Sequence, residues 1–342
     1  MQPDEFEEHV GNVLKNTICS NSTNSNTINS NILIEKIAVA VSGGSDSLAL
    51  VISISRNFPN VLAIMVNHNL RPTAAQEIAQ TAATLDKFGI KYVVKEWDGN
   101  VKKNLENEAR NARYKLLIDT CKAQKIKYLC IGHHANDQVE TFFLNLARGS
   151  GLDGLCAMPV VKMVENVAII RPMLDLTKED CRGYLRALNV HWCEDESNQN
   201  RHYKRNNIRF LLEQIEDKNL ILQRTNQTIK TLQEAKLALD EMVDITINSI
   251  TINSITVNRN ISQDKREILF ARNDFMKITP YIQKSVLTRC IMSVSGRTYK
   301  LRLYQIENVV ESIKSGQNFK RTLARCVVEM RGDLVKIYSI LP

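Results

Sequence analysis

The chain has 342 residues, 44% hydrophobic and 24% charged, with a formal net charge of +8. That length is comfortable for two domains with a sizeable core, and the composition is ordinary for a soluble globular protein. No apolar run approaches the ~20 residues that span a bilayer, and the acidic start MQPDEFEEHVGNVLK is not a secretory leader, so a cytoplasmic location without a membrane partner is expected.

Residues 1–31 read as an N-terminal helix followed by the polar low-complexity stretch CSNSTNSNTINSN. Residues 32–212 alternate strand-like and helix-like segments. Strands are expected at IAVAV from Ile37, VLAIMVNH from Val61, YVVKEW from Tyr92 and YLCIGHH from Tyr128. Helices are expected after Ser47, over 74–89, 104–125 and 136–151, and again over 176–189. This order argues for an α/β fold with a doubly wound parallel sheet, whose ligands sit at the C-terminal strand ends. Residues 213–262 read as a long helical linker carrying the TINSI-TINSI-TVN repeat, expected as a hairpin or edge strand. Residues 263–342 form a smaller α+β domain with helices near 280–294 and 301–315 and terminal strands near 325–340. From Tyr281 to Pro342 there are eleven Lys/Arg against four Asp/Glu, nearly the whole positive surplus, which favours a polyanionic partner there. The eight cysteines contain no C-x-x-C pair, which argues against a zinc ribbon or a cluster and for reduced, mostly buried thiols.

The first chemical signal is strand–SGGSDS–helix. A glycine turn entering a helix presents several unpaired amides to an anion, and Ser42, Ser45 and Ser47 add hydroxyls around Gly43 and Gly44. No G-x-x-x-x-G-K-[ST] is present, so this is not the loop that reaches a γ-phosphate with lysine. The segment resembles the loop of ATP pyrophosphatases that adenylate a substrate and release pyrophosphate. By that resemblance the loop embraces the phosphates of ATP, and Asp46 lies beside them and their Mg²⁺.

The second signal, GHHANDQVETFFLNLARGSGLDGL from Gly132, gathers His133, His134, Asn136, Asp137, Glu140 and Arg148 at a strand end and along one helix. On a helix, Asp137 and Glu140 share adjoining faces. This string is similar to the signature of the tRNA(Ile)-lysidine synthetase family, with Asn136 where many members carry Asp. Further matching pieces are NHNLRPTAAQE (67–77), EARNARY (108–114), RPML (171–174) and EDESNQNRHYKRNNIR (194–209), so the likeness covers residues 32–210.

The resemblance implies ATP-dependent joining of free L-lysine to the wobble cytidine of an isoleucine tRNA with a CAU anticodon, through an adenylated cytosine. AMP and pyrophosphate leave, and decoding changes from AUG to AUA. It also implies His68 at the nucleotide site, Arg110 and Arg113 near the substrate, and Arg113, Arg148, Arg205 and Arg209 as contacts to phosphate or RNA. Asp137 and Glu140 suit the binding of lysine, and a carboxylate there is a reasonable general base. His133 is either a base or a hydrogen-bonded strand-end histidine. The basic C-terminal domain is expected to clamp tRNA, and a homodimer is the family's guess. The rival activity on the same loop is tRNA thiolation, which the missing cysteine pair disfavours.

Overall fold

The computed structural model describes residues 1–20, 35–67, 74–97, 105–194, 204–251, 267–296 and 301–340. His68, most of the NHNLRPTAAQE piece and the start of EDESNQNRHYKRNNIR lie outside the described residues. The chain divides into two compact units, Met1–Leu232 and Gln233–Pro342.

The first unit is built on a six-stranded sheet of order β3-β2-β1-β4-β6-β5. Its strands are β1 (Ile37–Val41), β2 (Val61–Asn67), β3 (Lys91–Glu96), β4 (Tyr128–Ile131), β5 (Val161–Val164) and β6 (Val167–Ile170). All pairings are parallel except β5 against β6, so the expected parallel sheet carries one antiparallel edge strand. That edge hairpin was not expected. Its two-residue turn, Glu165-Asn166, has φ of 47° and 67°, the left-handed pair that matches the twist of a tight hairpin.

The apolar run of β1 follows from burial on both faces. Ile37, Val39 and Val41 pack with helix α1 (Pro3–Ser20), helix α2 (Ser45–Asn57) and Leu185. Ala38 and Ala40 face the other core, with Leu117 and Ile118. A strand between two helical layers cannot alternate polar and apolar residues. The chain leaves β1 for β2 on one side and reaches β4 on the other, so a topological switch point opens between β1 and β4. The Ser42–Ser47 turn follows β1 there, and Gly132-His133-His134 follows β4.

The long helical linker expected from residue 213 is the helix Lys218–Ile250, and a separate helix, Lys204–Glu213, precedes it. The chain tightens at Gln214 and Ile215, and Asp217 accepts the N–H of Ile221 as the second helix begins. That helix also corrects the reading of the repeat: its first TINSI copy is helical through Ile250. Val243 is buried, and Ile247 and Ile250, four and seven residues on, pack against the second unit's core. A helical apolar stripe outweighs the small helix penalty of β-branched residues. The second copy lies outside the described residues beyond Thr251, which bridges Phe270.

The second unit holds a four-stranded antiparallel sheet of Glu267–Ala271, Phe319–Leu323, Cys326–Arg331 and Leu334–Ser339. Helices Pro280–Ser295 and Leu303–Lys314 contribute Val286, Leu287, Ile291 and Ile313 to the core, with Phe270, Val328 and Ile337 from the sheet. Lys320, Arg321, Arg325 and Arg331 are exposed. Among the described residues, no helix is long and apolar enough to cross a membrane.

Candidate active site

The Ser42–Ser47 turn is held by its own hydroxyls. Ser47 Oγ accepts from the Ser42 N–H at 3.1 Å and donates to the Gly44 carbonyl at 3.0 Å, while Ser45 Oγ donates to Asp46 Oδ1 at 2.9 Å. Gly43 has φ +85°, and a Cβ there would fall 2.5 Å from Thr81 Oγ1, so glycine is required for conformation and for space. Gly44 caps α2 without a side chain, leaving the first-turn amides open toward the strand ends. Cys193 N–H donates to the Gly43 carbonyl at 3.0 Å and closes the back of the turn.

The two sequence motifs meet here. Gly132 lies so close to the turn that a Cβ would fall 3.0 Å from the Asp46 carbonyl oxygen. His134, the N-cap of helix α5 (Ala135–Leu146), places Nε2 3.5 Å from Asp46 Oδ2 and 3.6 Å from Asp137 Oδ2. Asp137 Oδ2 also accepts the His134 backbone N–H at 3.1 Å.

Burial opposes every charge in this group, yet the carboxylates stay ionised. Burial alone would raise Asp46, but the His134 hydrogen bond and charge, Ser45 and Lys178 leave it lowered. Asp137 is pulled down to about 2, against burial, by His134, Arg205 and His133. Burial would lower His134, and Asp137, Asp46 and Glu140 reverse that, so its pKa is raised.

A second layer of charge comes from the helix Lys204–Glu213. Arg205 and Arg209 are one turn apart and face Asp137 and Glu140, which are also one turn apart. Arg205 bridges the two carboxylates, Nη2 to Asp137 Oδ1 and Nε to Glu140 Oε2, both at 2.7 Å. Arg209 grips Glu140 with two bonds, Nε to Oε1 at 2.7 Å and Nη2 to Oε2 at 3.1 Å. The two arginines expected at phosphate or RNA are thus bound to the two carboxylates expected at lysine.

Arg110 and Arg171 adjoin this group through His133, on which both act together with Asp137 and Arg205, and Arg113 neighbours Arg110. Arg110 sits 5.4 Å over the Tyr114 ring. Burial, and then repulsion by Arg110, push Arg113 down. Arg171 is buried and donates from Nε to His133 Nδ1 at 3.2 Å and from Nη1 to the Pro159 carbonyl at 2.9 Å.

Arg148 does not join the constellation. It is exposed beyond the far end of α5, about 16 Å from Asp137 at 1.5 Å of rise per residue. The turn at Ser42 lies at the N-terminal end of α5, and Arg148 lies beyond its C-terminal end.

Asn136 is a structural support. Its Oδ1 accepts the Lys178 backbone N–H at 3.0 Å, at the start of the helix Lys178–Ala187. An aspartate oxygen would serve equally, which explains why either residue fits. His134 belongs to the second sequence cluster but carries no assigned role there, and Arg171 enters only as part of the RPML piece. The doubled histidine was the available signal, but adjacency alone does not tell which ring meets the carboxylates.

Among the described residues no three His, Cys, Asp or Glu side chains gather as a metal site. One ionised carboxylate, Asp46, next to hydroxyls fits a magnesium ion that keeps most of its waters and arrives on phosphate oxygens.

An amide-lined turn at the switch point of a parallel sheet, with an ionised aspartate inside it, defines an ATP-using α/β protein of the PP-loop class. The PP-loop domain profile matches residues 19–215. In fold, the chain is similar to the U34-tRNA thiolase NcsA from Methanococcus maripaludis with its 4Fe-4S cluster (TM-score 0.52, 18% identity, 66% of this chain and 78% of that one). In sequence, it is 32% identical over 310 residues to the tRNA(Ile)-lysidine synthase of Wolbachia sp. subsp. Brugia malayi (strain TRS), covering 88% of this chain and 70% of that protein. The tRNA(Ile)-lysidine synthase of Orientia tsutsugamushi (strain Boryong) is 30% identical over 312 residues, covering 89% and 69%. The chain belongs to the tRNA(Ile)-lysidine synthase family.

Proposed function

We propose that the chain joins free L-lysine to the wobble cytidine of the CAU anticodon of an isoleucine tRNA, splitting ATP to AMP and pyrophosphate. The observation that carries this reading is His134 held between Asp46 of the nucleotide turn and Asp137 of the second motif. It makes the two motifs one site.

In the first step the ring carbonyl oxygen of cytidine attacks the α-phosphorus, and pyrophosphate leaves. The open amides of α2 receive the phosphate charge, and the Ser42 and Ser45 hydroxyls would join them by turning away from Ser47 and Asp46. Magnesium, held beside Asp46, would neutralise charge on the departing pyrophosphate. In the second step the ε-amine of lysine attacks the adenylated carbon, AMP leaves, and the amine loses its proton. Asp137, held near pKa 2, is suited to attracting an ammonium and poorly suited to taking its proton. Both oxygens of Glu140 and one of Asp137 are engaged by arginine, so lysine would enter by exchange with Arg205 or beside it. Arg148, exposed and remote from the turn, is available to RNA rather than to ATP.

The same proposal places magnesium, L-lysine and a cytoplasmic homodimer with the chain, and gives the exposed lysines and arginines of the second unit to tRNA backbone. The test is to incubate the protein with ATP, labelled lysine and a CAU-anticodon isoleucine tRNA transcript. ATP-dependent transfer of label to RNA, with one AMP released per lysine, is expected. No transfer would overturn the reading, and sulfur incorporation from a sulfur donor would favour thiolation.

A further inference from the structure

Arg171 combines three observations that the reaction above leaves unexplained. It is 6% exposed, yet its hydrogen-bond acceptors are neutral, the His133 ring and the Pro159 carbonyl, with Tyr114 its other polar neighbour. Among the described residues no carboxylate pairs with it. A buried guanidinium without a counter-charge is costly to desolvate, and a methionine would fill the same space without that cost. Its position is also constrained, because its own N–H donates to the Val160 carbonyl at 2.9 Å, at the start of the β5–β6 hairpin.

The bond to His133 determines the histidine's chemistry. A guanidinium can only donate, so Nδ1 of His133 must be the bare, accepting nitrogen. The ring proton then lies on Nε2, and Nε2 has no partner among the described residues. His133 also stays neutral: burial, with Arg171, Arg205 and Arg110, holds it down to about 3 despite Asp137. A neutral ring with its lone pair already used can give a hydrogen bond but cannot take a proton.

We propose that Arg171 is a positioning residue that locks His133 in the Nε2–H form, making it a fixed hydrogen-bond donor at the end of β4 rather than a general base. This rests on the proposed reaction for what the donor serves: an oxygen gaining negative charge during adenylation. No proton is transferred. The bond strengthens as charge develops and relaxes when AMP leaves. Arg171 touches neither substrate and acts through His133 alone.

Two measurements test this. The first is long-range proton–nitrogen NMR of histidine-labelled protein without substrates, with the His133 signals among the six histidines assigned by their loss in His133→Gln. The wild type should show the Nε2–H form throughout pH 5–8. Arg171→Met should convert His133 to mixed forms and move its titration up into that range, whereas Arg171→Lys, which keeps one donor and the charge, should preserve the wild-type pattern. An Nδ1–H ring in the wild type, or an unchanged pattern in Arg171→Met, would overturn the proposal.

The second measurement is turnover in a double-mutant cycle. Arg171→Met should lower kcat about tenfold, because the ring loses its held orientation as well as part of its Nε2–H population, with KM for ATP nearly constant. Gln at position 133 keeps an N–H at similar reach and needs no tautomer lock. In that background the same Arg171 change should therefore cost less than about threefold. An equal loss in both backgrounds would mean that Arg171 acts independently of His133. If Arg171→Met does not fold, Arg171→Gln replaces it. The NMR arm needs no activity, so a wild type that failed to ligate lysine would remove the functional reading and leave the tautomer to be judged on its own.

Discussion

The two units of the chain treat charge in opposite ways. In the unit ending at Leu232, Glu140, Arg171 and His134 are all buried, and Arg205 and Arg209 reach in from a neighbouring helix. In the unit beginning at Gln233, the only buried polar or charged side chain among the described residues is Gln283, which donates to the Phe275 carbonyl at 3.0 Å. None of its described lysines and arginines is buried, and Lys320, Arg321, Arg325 and Arg331 stand in solvent. Desolvating a charge is expensive, and a pair rarely repays it better than packed apolar groups would. A fold therefore keeps such groups inside where chemistry needs fixed fields, and leaves exposed cations where a partner is a long polyanion.

The largest effect should come from breaking the buried network. Glu140→Ala leaves two guanidiniums beside Asp137 without their shared acceptor. It should destabilise the first unit by about 3 kcal/mol and lower lysine transfer on the order of 10²-fold. Denaturant melts followed by tryptophan fluorescence read only this unit, because the two tryptophans are Trp97 and Trp192. An undiminished midpoint would mean that the network contributes nothing to stability.

The second unit should respond in the other manner. Changing exposed Lys320, Arg321 and Arg325 to Glu should leave the midpoint and ATP binding unchanged. It should weaken tRNA binding at least tenfold and flatten its salt dependence by about one slope unit per lost phosphate contact. Equal tRNA affinity in filter binding would remove this unit from the RNA interface.

The smallest effect is the pH response. Asp137 falls from 3.8 to about 2 on folding, so its contribution is present above about pH 4 and is lost as pH drops toward 2. His133 falls from 6.5 to about 3, so the folded state binds fewer protons there, and that contribution is lost between those values on acidification. His134 is raised, so its contribution is full below 6.5 and lost as pH rises through its folded value; on acidification from pH 7 it grows until about 6.5 and offsets part of the acid loss, and below that it is constant. Lowering the pH from 7 to 4 should reduce the tryptophan-monitored Tm by roughly 5 °C, with hydrogen exchange of the second unit's sheet changing little. Equal acid sensitivity in both units would erase the contrast between them.

Much of the fold is legible locally. The apolar β1, the strand at Val61, the helix ending before Gly89 and the amphipathic helix near Leu117 all fall where periodicity places them. The β5–β6 hairpin was missed because KMVENVAI is short and its turn residues are not glycine. The first TINSI copy was misread because alternating β-branched residues satisfy a strand pattern, while the helical stripe Val243–Ile247–Ile250 shows only once a core is present to receive it.

The sequence by itself determined the inventory and the address of the site. A glycine turn after a buried strand must lie at a strand end, and carboxylates three apart and arginines four apart must line helix faces, because these follow from backbone geometry alone. Only the tertiary structure decided who pairs with whom. Arg205 meets Glu140 across 65 residues of sequence and Arg171 meets His133 across 38. It also decided that His134 faces the carboxylates while His133 faces an arginine. Those choices depend on how separately formed helices and strands pack, and no local pattern encodes that.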